Sequence, residues 1–169
     1  SQVFTEGDLA TLKGNLAIGH CRYSTTGSST WVNAQPTLRP TKYGTLALAH
    51  NGNLTNTGDL AELVQKLEAS YTRGATTDTE IMTALIALQD SKNVEASALT
   101  VLPQLEGAFS LVFMDEHTLY AARDRHGVRP LVIGKLDRGW VVASESAALD
   151  IVGAAFVREV EPGEFLAIN

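Results

Sequence analysis

Three residues near the start of the chain could take part in nucleophilic chemistry, and we consider first the thiol of Cys21 and its neighbour His20. They lie in an apolar run, residues 15–23, that predicts a β-strand. Neighbours along a strand point to opposite faces, so His20 could not serve Cys21 as a general base. We therefore expect Cys21 to be a small buried residue, and His20 to be a structural histidine whose hydrogen bonds are satisfied.

Ser1 is the third candidate, because hydrolases with an N-terminal Ser, Thr or Cys use their own α-amine as general base. The α-amine has a pKa of about 8, which suits that task. However, Ser1 leads through Gln2-Val3-Phe4 into a predicted helix cap, whereas such a nucleophile would begin a buried strand. Ser1 stays as a minor hypothesis, and acylation of the N-terminal residue by a substrate analogue would be its signature.

Other residues suit the binding and polarisation of a small substrate. Asn51-Gly52 follows a predicted strand and offers a side-chain amide beside a backbone N–H, which are the components of an oxyanion hole. Glycine there would also let the backbone approach a ligand closely. Asn-Gly is equally typical of a simple turn, and the pair alone does not decide between the two interpretations.

Arg22 and Asp78 could hold the two charged ends of a free amino acid. Arg22 could clamp a carboxylate through two N–H groups, with the Thr25 hydroxyl nearby. Asp78 opens a predicted helix and could pair with an ammonium group. Each residue also has a plain interpretation, since Arg22 could be a surface residue and Asp78 could simply favour the helix dipole. The functional hypothesis requires Arg22, Asn51-Gly52 and Asp78 to converge on one cavity the size of an amino acid.

The densest charged stretch runs from Arg123 to Pro130 and could form an anion site. We favour instead a structural loop, in which Asp124 pairs locally with an arginine and Gly127 bends the chain.

Local patterns predict the elements that position these residues. Four helices are expected. The first covers residues 6–13 after a Thr5 cap, and the last covers residues 96–105. Of the two between them, one has its apolar face at Leu60, Leu63, Val64 and Leu67, and the other begins at the capping box Thr77-Asp78-Thr79-Glu80. Strands are expected over 15–23, 45–50, 108–114, 119–123, 130–134, 140–144 and 164–168, with a long functional loop over 24–40 and a turn at Asn51-Gly52 that ends the second strand. Two strands, then helices, then five strands favour an α+β fold.

Composition excludes several classes of protein. The 169 residues suffice for one domain, and 44% of them are hydrophobic, as in a globular chain. The net charge of −6 argues against a nucleic-acid partner. No apolar run is long enough to cross a membrane, and one cysteine with four scattered histidines predicts no metal site. A single cysteine and no signal peptide favour the cytoplasm. The first predicted strand has no earlier strand to pair with, and the sequence ends inside a predicted strand. Both features favour the interpretation that this chain is a piece of a longer polypeptide.

Six blocks, in this order along the chain, resemble the glutaminase domain of the class II glutamine amidotransferases, which are N-terminal-nucleophile hydrolases. The blocks are Gly19-His20-Cys21-Arg22-Tyr23-Ser24-Thr25-Thr26-Gly27, Asn33-Ala34-Gln35-Pro36, Ala49-His50-Asn51-Gly52-Asn53-Leu54, Thr77-Asp78-Thr79-Glu80, Arg123-Asp124 to Arg129-Pro130-Leu131, and Ser144-Glu145-Ser146. The likeness runs over residues 1–169. The second block and Tyr23-Ser24-Thr25-Thr26 favour the purine-biosynthetic branch over the glucosamine-6-phosphate synthase branch.

The resemblance implies a fold and a set of roles. The fold would be a four-layer αββα sandwich, incomplete at its N-terminus, with residues 1–169 as part of one glutaminase domain. Arg22 would bind the α-carboxylate of glutamine, with Thr25 nearby, and Asp78 would bind its α-ammonium group. Asn51 and Gly52 would form the oxyanion hole.

The resemblance also implies a reaction and partners. Glutamine would be hydrolysed through a thioester, and the ammonia would pass to a phosphoribosyltransferase domain of the same protein, which would convert phosphoribosyl pyrophosphate to 5-phosphoribosylamine, the first step of de novo purine synthesis. The protein would be a homo-oligomer. No cofactor is expected in this chain; Mg²⁺ and an iron–sulfur cluster would belong to other segments.

One feature departs from the family, in which the nucleophile is an N-terminal cysteine. Cys21 falls at a variable position of its motif, so we expect the isolated chain to be inactive. A non-catalytic ligand- or protein-binding module on the same fold is the alternative. A thiol-reactive glutamine analogue separates the two, because a covalent adduct requires the nucleophile.

Overall fold

The computed structural model describes residues 5–21, 33–68 and 77–169. Five α-helices occur in these residues: α1 Glu6–Thr11, α2 Thr57–Leu67, α3 Asp78–Leu88, α4 Val94–Val101 and α5 Ser146–Val152. The described strands are β1 Thr37–Thr41, β2 Gly44–Leu54, β3 Gly107–Met114, β4 Leu119–Arg123, β5 Val132–Leu136, β6 Gly139–Ala143, β7 Ala155–Glu159 and β8 Phe165–Ile168. A 3₁₀ turn, Leu102–Gln104, follows α4.

The strands form two antiparallel sheets. The larger sheet has the strand order β1-β2-β3-β4-β8, and the smaller has the order β6-β5-β7. In the larger sheet Asn51 of β2 lies opposite Ser110 of β3, which in turn lies opposite Arg123 of β4. These three side chains therefore share one face of the sheet, because residues directly opposite each other point the same way.

The two sheets and their helices make four layers. The first core joins α2, α3 and α4 to one face of the larger sheet, through residues such as Leu48, Met82, Leu85 and Phe113. A second cluster joins the other face to the smaller sheet, through Val112, Ala121 and Leu166 on one side and Val142 on the other. A third packs the smaller sheet on α5. The order helix, sheet, sheet, helix confirms the predicted αββα sandwich.

The alternation of side chains along β2 assigns its faces. Leu46, Leu48 and Leu54 belong to the helix-side core, so His50 and Gly52 lie on that side. Asn51 lies on the side that faces the smaller sheet. The predicted site therefore uses both faces at the end of one strand.

Local capping signals are confirmed. The Thr5 hydroxyl accepts a hydrogen bond from the Asp8 backbone N–H at 3.3 Å, and Asp8 accepts in return from the Thr5 N–H at 2.8 Å. At α3 the Thr77 hydroxyl accepts from the Glu80 N–H at 3.3 Å. These bonds satisfy backbone donors that the first turn of a helix leaves free, so they can be predicted from the sequence alone.

Three predictions near the N-terminus were wrong. Residues 15–21 form no strand, because they pair with none of the described strands. The predicted loop over 24–40 contains β1 in its last residues; Pro40 is tolerated there because β1 is at the edge of the sheet. Residues 24–32 of that loop lie outside the described residues. The second strand does not stop at residue 50, since β2 continues through Asn51-Gly52 to Leu54.

The C-terminal half follows the prediction more closely. β3, β4, β6 and β8 lie within one residue of their predicted bounds, β5 begins two residues later, and α4 begins two residues earlier, where Asn93 caps it. Helix α5 and strand β7 were not predicted. All five residues of β7 are exposed, so the strand lacks the alternation that reveals a half-buried strand in a sequence.

Candidate functional site

Asn51-Gly52 lies inside a sheet and does not form a turn. Gly52 pairs with Phe109 of β3 and has a φ of 149°, a conformation that side chains of other residues rarely adopt. A Cβ atom at Gly52 would lie 2.0 Å from the carbonyl oxygen of Ala108 and 2.8 Å from Nε2 of His50. The strand can therefore pass this point only with glycine.

Asp78 is held against the segment of β2 that carries this pair. Its Oδ2 accepts a hydrogen bond from the Leu54 backbone N–H at 3.2 Å, and its Oδ1 accepts from the Thr79 N–H at 2.9 Å. Oδ1 also lies 3.4 Å from Nδ1 of His50. Asp78 thus contacts residues on either side of Asn51-Gly52, although 24 residues separate it from Leu54.

The electrostatics of Asp78 favour its ionised form. Burial raises the pKa of the Asp78 carboxyl, but the His50 ring and the two backbone N–H groups together outweigh burial, so the pKa lies below its usual value. The side chain is 18% exposed, which leaves part of it open to a ligand. A carboxylate that stays charged at neutral pH can pair with an ammonium group.

His50 is buried beneath this pair, with 4% of its surface exposed. Its backbone N–H donates a hydrogen bond to Oε1 of Gln35 at 2.7 Å. The pairing of β1 with β2 ends at Leu48, so the Gln35 side chain supplies the acceptor that a longer β1 strand would otherwise give. Its Nε2 is buried and has no hydrogen-bond partner among the described residues. The sequence contains no signal for a role of His50, because a histidine before Asn-Gly has no distinguishing spacing.

The charged stretch after β4 is a structural loop, as predicted, but its contacts differ from the prediction. Asp124 forms no ion pair with an arginine in the described part of the chain. Its carboxylate accepts from the backbone N–H groups of Phe109 at 3.1 Å and His126 at 2.8 Å. Gly127, with a φ of 62°, makes the predicted bend. A local arginine is not needed, because main-chain donors already surround the carboxylate.

Arg129, at the end of this loop, reaches the candidate site. Its Nη2 donates to Oδ1 of Asn51 at 2.8 Å, across 78 residues of sequence. In the sequence, Arg129 is one of several charged residues between Arg123 and Pro130. The local sequence holds no signal for this contact, since it depends on how the loop folds over the sheet.

The remaining predicted residues are placed as follows. Arg22, Thr25 and Ser1 lie outside the described residues, so the predicted convergence with Asp78 and Asn51-Gly52 stays a prediction. Cys21 is a free, exposed cysteine, and the expectation that it is buried was wrong. The reason is that its segment forms no strand in the described part of the chain. His20 is half-buried.

The described residues also form a cleft that is separate from the candidate site. A cleft of about 290 Å³ lies between the C-terminal end of α4 and residues 123–126 and 163–165, and its lining includes none of Asn51, Gly52 or Asp78. Residues 5–21, 33–68 and 77–169 contain no group of three His, Cys, Asp or Glu side chains that could hold a metal ion. The same ranges contain no helix long and apolar enough to cross a membrane.

Comparison with known proteins identifies the family. Residues 20–151 match the family model of the glutamine amidotransferase domain, and this chain belongs to that family. The resemblance inferred from the six sequence blocks is thereby confirmed.

The most similar relatives share one name. The chain is 59% identical to the amidophosphoribosyltransferase of Mycobacterium tuberculosis and 47% identical to that of Synechocystis, over its whole length in both cases. It spans 33% and 35% of those relatives. Among solved structures, it superposes on the glutamine phosphoribosylpyrophosphate amidotransferase of B. subtilis, solved with ADP and GMP, with a TM-score of 0.88 and 40% identity, over 99% of this chain and 36% of the other.

Proposed function

We propose that this chain is the glutaminase portion of an amidophosphoribosyltransferase, with all 169 residues in one domain. The observation that carries the proposal is the Asp78 carboxylate, which lies against the strand segment bearing Asn51 and Gly52 in a chain of the glutamine amidotransferase family. In the proposed protein, ammonia from glutamine passes to phosphoribosyl pyrophosphate on a phosphoribosyltransferase domain and gives 5-phosphoribosylamine.

The proposed binding mode places one charged group at each end of the substrate. Arg22, with Thr25 nearby, binds the α-carboxylate, and Asp78 binds the α-ammonium group. The lowered pKa of Asp78 supports this role, because only the ionised carboxylate attracts an ammonium group. The side-chain amide of glutamine then extends towards Asn51 and Gly52.

The proposed reaction begins when a cysteine thiolate attacks the amide carbon of glutamine, and the carbonyl oxygen becomes an oxyanion. The Asn51 amide and the Gly52 backbone N–H donate hydrogen bonds to that oxygen. The carbon–nitrogen bond breaks, the nitrogen takes up a proton and leaves as ammonia, and a thioester remains. Water then hydrolyses the thioester to glutamate and regenerates the thiol. We propose that the nucleophile is not Cys21 but a cysteine outside this chain.

Several finer assignments remain predictions. The homo-oligomer and the cytoplasmic location are of this kind. The absence of a cofactor from this chain also stays a prediction, and the Mg²⁺ and iron–sulfur cluster that the resemblance implies would belong to other segments of the proposed protein.

The Asp78→Asn variant of the full-length protein tests the proposal. Loss of the charged partner is expected to raise KM for glutamine about 10- to 100-fold, because hydrogen bonds to charged groups contribute about 1.5–3 kcal/mol. Glutamate release, measured with a coupled dehydrogenase, gives KM and kcat. Asp59→Asn is the matched control, since Asp59 also lies in the first turn of a helix, α2, and is exposed.

Two outcomes would contradict the proposal. An unchanged KM in Asp78→Asn would remove the ammonium role. Reversible glutamine binding by the full-length protein, without any covalent adduct from a thiol-reactive glutamine analogue, would favour the non-catalytic binding module.

A further inference from the structure

The hydrogen bond between Arg129 and Asn51 determines which way the Asn51 amide points. A guanidinium group has only donors and no acceptor. The atom of Asn51 that faces Arg129 Nη2 at 2.8 Å must therefore be the amide oxygen. The amide nitrogen, Nδ2, is then turned away from Arg129, and no described residue accepts a hydrogen bond from it.

This orientation matters for an oxyanion hole. The amide of an asparagine can rotate so that either its NH₂ group or its oxygen faces a ligand. Only the NH₂ group stabilises a developing negative charge, whereas the oxygen would repel it. Arg129 selects the useful orientation because it binds the oxygen before any substrate arrives, and a donor that is already oriented needs no rearrangement during the reaction.

Arg129 is itself held in place by the sheet. Its backbone carbonyl accepts hydrogen bonds from the Ser110 hydroxyl at 3.0 Å and from Arg123 Nε at 2.8 Å. Ser110 is 4% exposed and Arg123 is 9% exposed. Ser110 lies on β3 and Arg123 lies on β4, and both are in register with Asn51 of β2. Three adjacent strands therefore support the contact between Arg129 and Asn51.

The buried Arg123 extends this support to the rest of the loop. Its two terminal nitrogens donate to the carbonyl oxygens of Val160 at 2.6 Å and Gly127 at 2.9 Å. Arg123, the last residue of β4, therefore links the loop before Arg129 to the chain that follows β7. This network fixes the backbone at Arg129, from which the exposed guanidinium group reaches Asn51.

We propose that Arg129 is a positioning residue for glutamine hydrolysis, which holds the Asn51 amide with its NH₂ group presented to the oxyanion. This inference rests on the proposed function, because it requires Asn51 to be an oxyanion donor. Arg129 acts through Asn51 and need not touch the substrate.

A double-mutant cycle in the full-length protein tests the inference. We expect Asn51→Ala to lower kcat for glutamate release about 10²- to 10³-fold. Arg129→Met is expected to lower kcat about 10-fold or more with KM for glutamine nearly unchanged. In the Asn51→Ala background, Arg129→Met is expected to cause no further loss, because the group that it orients is already absent. Arg129→Lys, which keeps a donor, is expected to retain most of kcat.

Two controls separate positioning from folding. Arg125→Met removes an exposed arginine of the same loop whose side chain hydrogen-bonds only to His126 among the described residues, and is expected to leave kcat unchanged. Synthesis driven by added ammonium salt does not need the glutaminase site, so it is expected to be equal in Arg129→Met and wild type. If Arg129→Met lost this activity too, the comparison of Arg129→Lys with wild type would carry the test.

The outcomes are distinguishable. A loss of kcat in Asn51→Ala with none in Arg129→Met, or equal losses from Arg129→Met in both backgrounds, would overturn the positioning role alone. A low kcat in Arg129→Lys, with ammonium-driven synthesis intact, would do the same. An unchanged kcat in Asn51→Ala would instead overturn the oxyanion assignment in the proposed function.

Discussion

Gly52 combines two constraints that no other residue type meets. Its φ of 149° lies in a region where a Cβ atom is strained, and the space that a Cβ atom would occupy is filled by the backbone of β3. Any other residue at this position would place its Cβ atom against the Ala108 carbonyl group of β3. In the proposed oxyanion hole, this packing would help to fix the Gly52 backbone N–H beside the amide that Arg129 holds.

The Gly52→Ala substitution is expected to lower the free energy of unfolding by about 2–4 kcal/mol, because strain and a backbone clash add together. Urea denaturation of the complete protein, followed by circular dichroism, measures the change. Gly58→Ala is the control: a Cβ atom at Gly58 meets nothing within 4 Å, and alanine favours helix α2, so stability should rise by up to about 1 kcal/mol. Equal effects of the two substitutions would contradict the role given to Gly52.

At the scale of elements, the loop between β4 and β5 depends on the Asp124 carboxylate. Asp124 is 1% exposed and accepts hydrogen bonds from the backbone of β3 and of its own loop. Burial raises the pKa of the Asp124 carboxyl. The hydrogen bonds from the backbone N–H groups of His126, Phe109 and other residues of the loop lower it by more, so the pKa lies below its usual value. The same loop carries Arg129.

Asp124→Asn is expected to destabilise the protein by about 1–3 kcal/mol at pH 7, because an amide has one acceptor oxygen in place of two. The folded-state pKa lies below the unfolded value of about 3.9, so the carboxylate's stabilisation is complete above that pH and is lost as the pH falls through the folded pKa. The difference between wild type and variant should therefore stay constant from pH 7 down to about 5 and shrink only as the pH falls below about 4.

Urea midpoints at several pH values measure this difference. Asp137→Asn, in the exposed turn between β5 and β6, is the control and should change little at any pH. A difference for Asp124→Asn that stays constant with pH would show that the carboxylate's charge has no part in holding the loop.

At the scale of the whole molecule, residues from both sides of the larger sheet meet at the candidate site. Asp78 approaches β2 from the helix side, and Arg129 approaches from the side of the smaller sheet. The chain spans about a third of the relatives that it matches. In the proposed function the nucleophile and the phosphoribosyltransferase belong to the remaining two thirds.

The 169-residue chain by itself is expected to release no glutamate from glutamine. Without a thiol in the site, the covalent route through a thioester is closed. A coupled glutamate dehydrogenase assay measures this, with the full-length protein as the active control. Steady release by the isolated chain, abolished by Cys21→Ala, would make Cys21 the nucleophile and contradict the proposed mechanism.

Features that depend on neighbours in sequence could be predicted from the sequence. The caps at Thr5 and Thr77 join residues three apart, and the apolar spacing of α2 repeats within a single helix. The six ordered sequence blocks likewise indicate the family without any information on the tertiary structure. Such signals are local because hydrogen bonds within a turn and the period of a helix need no information from the rest of the chain.

Tertiary structure alone decided the remaining features, because their partners are distant in sequence. The dipeptide Asn51-Gly52 is typical of a turn, yet here it continues strand β2, because β3 pairs with β2 on both sides of it. Asp124 has arginines on both sides, yet it binds backbone N–H groups that include one from β3. The sequence predicted which amide and which carboxylate would bind glutamine in the proposed function. The packing of a loop 78 residues away determined which way that amide points, because only a folded sheet brings Arg129 within 2.8 Å of Asn51.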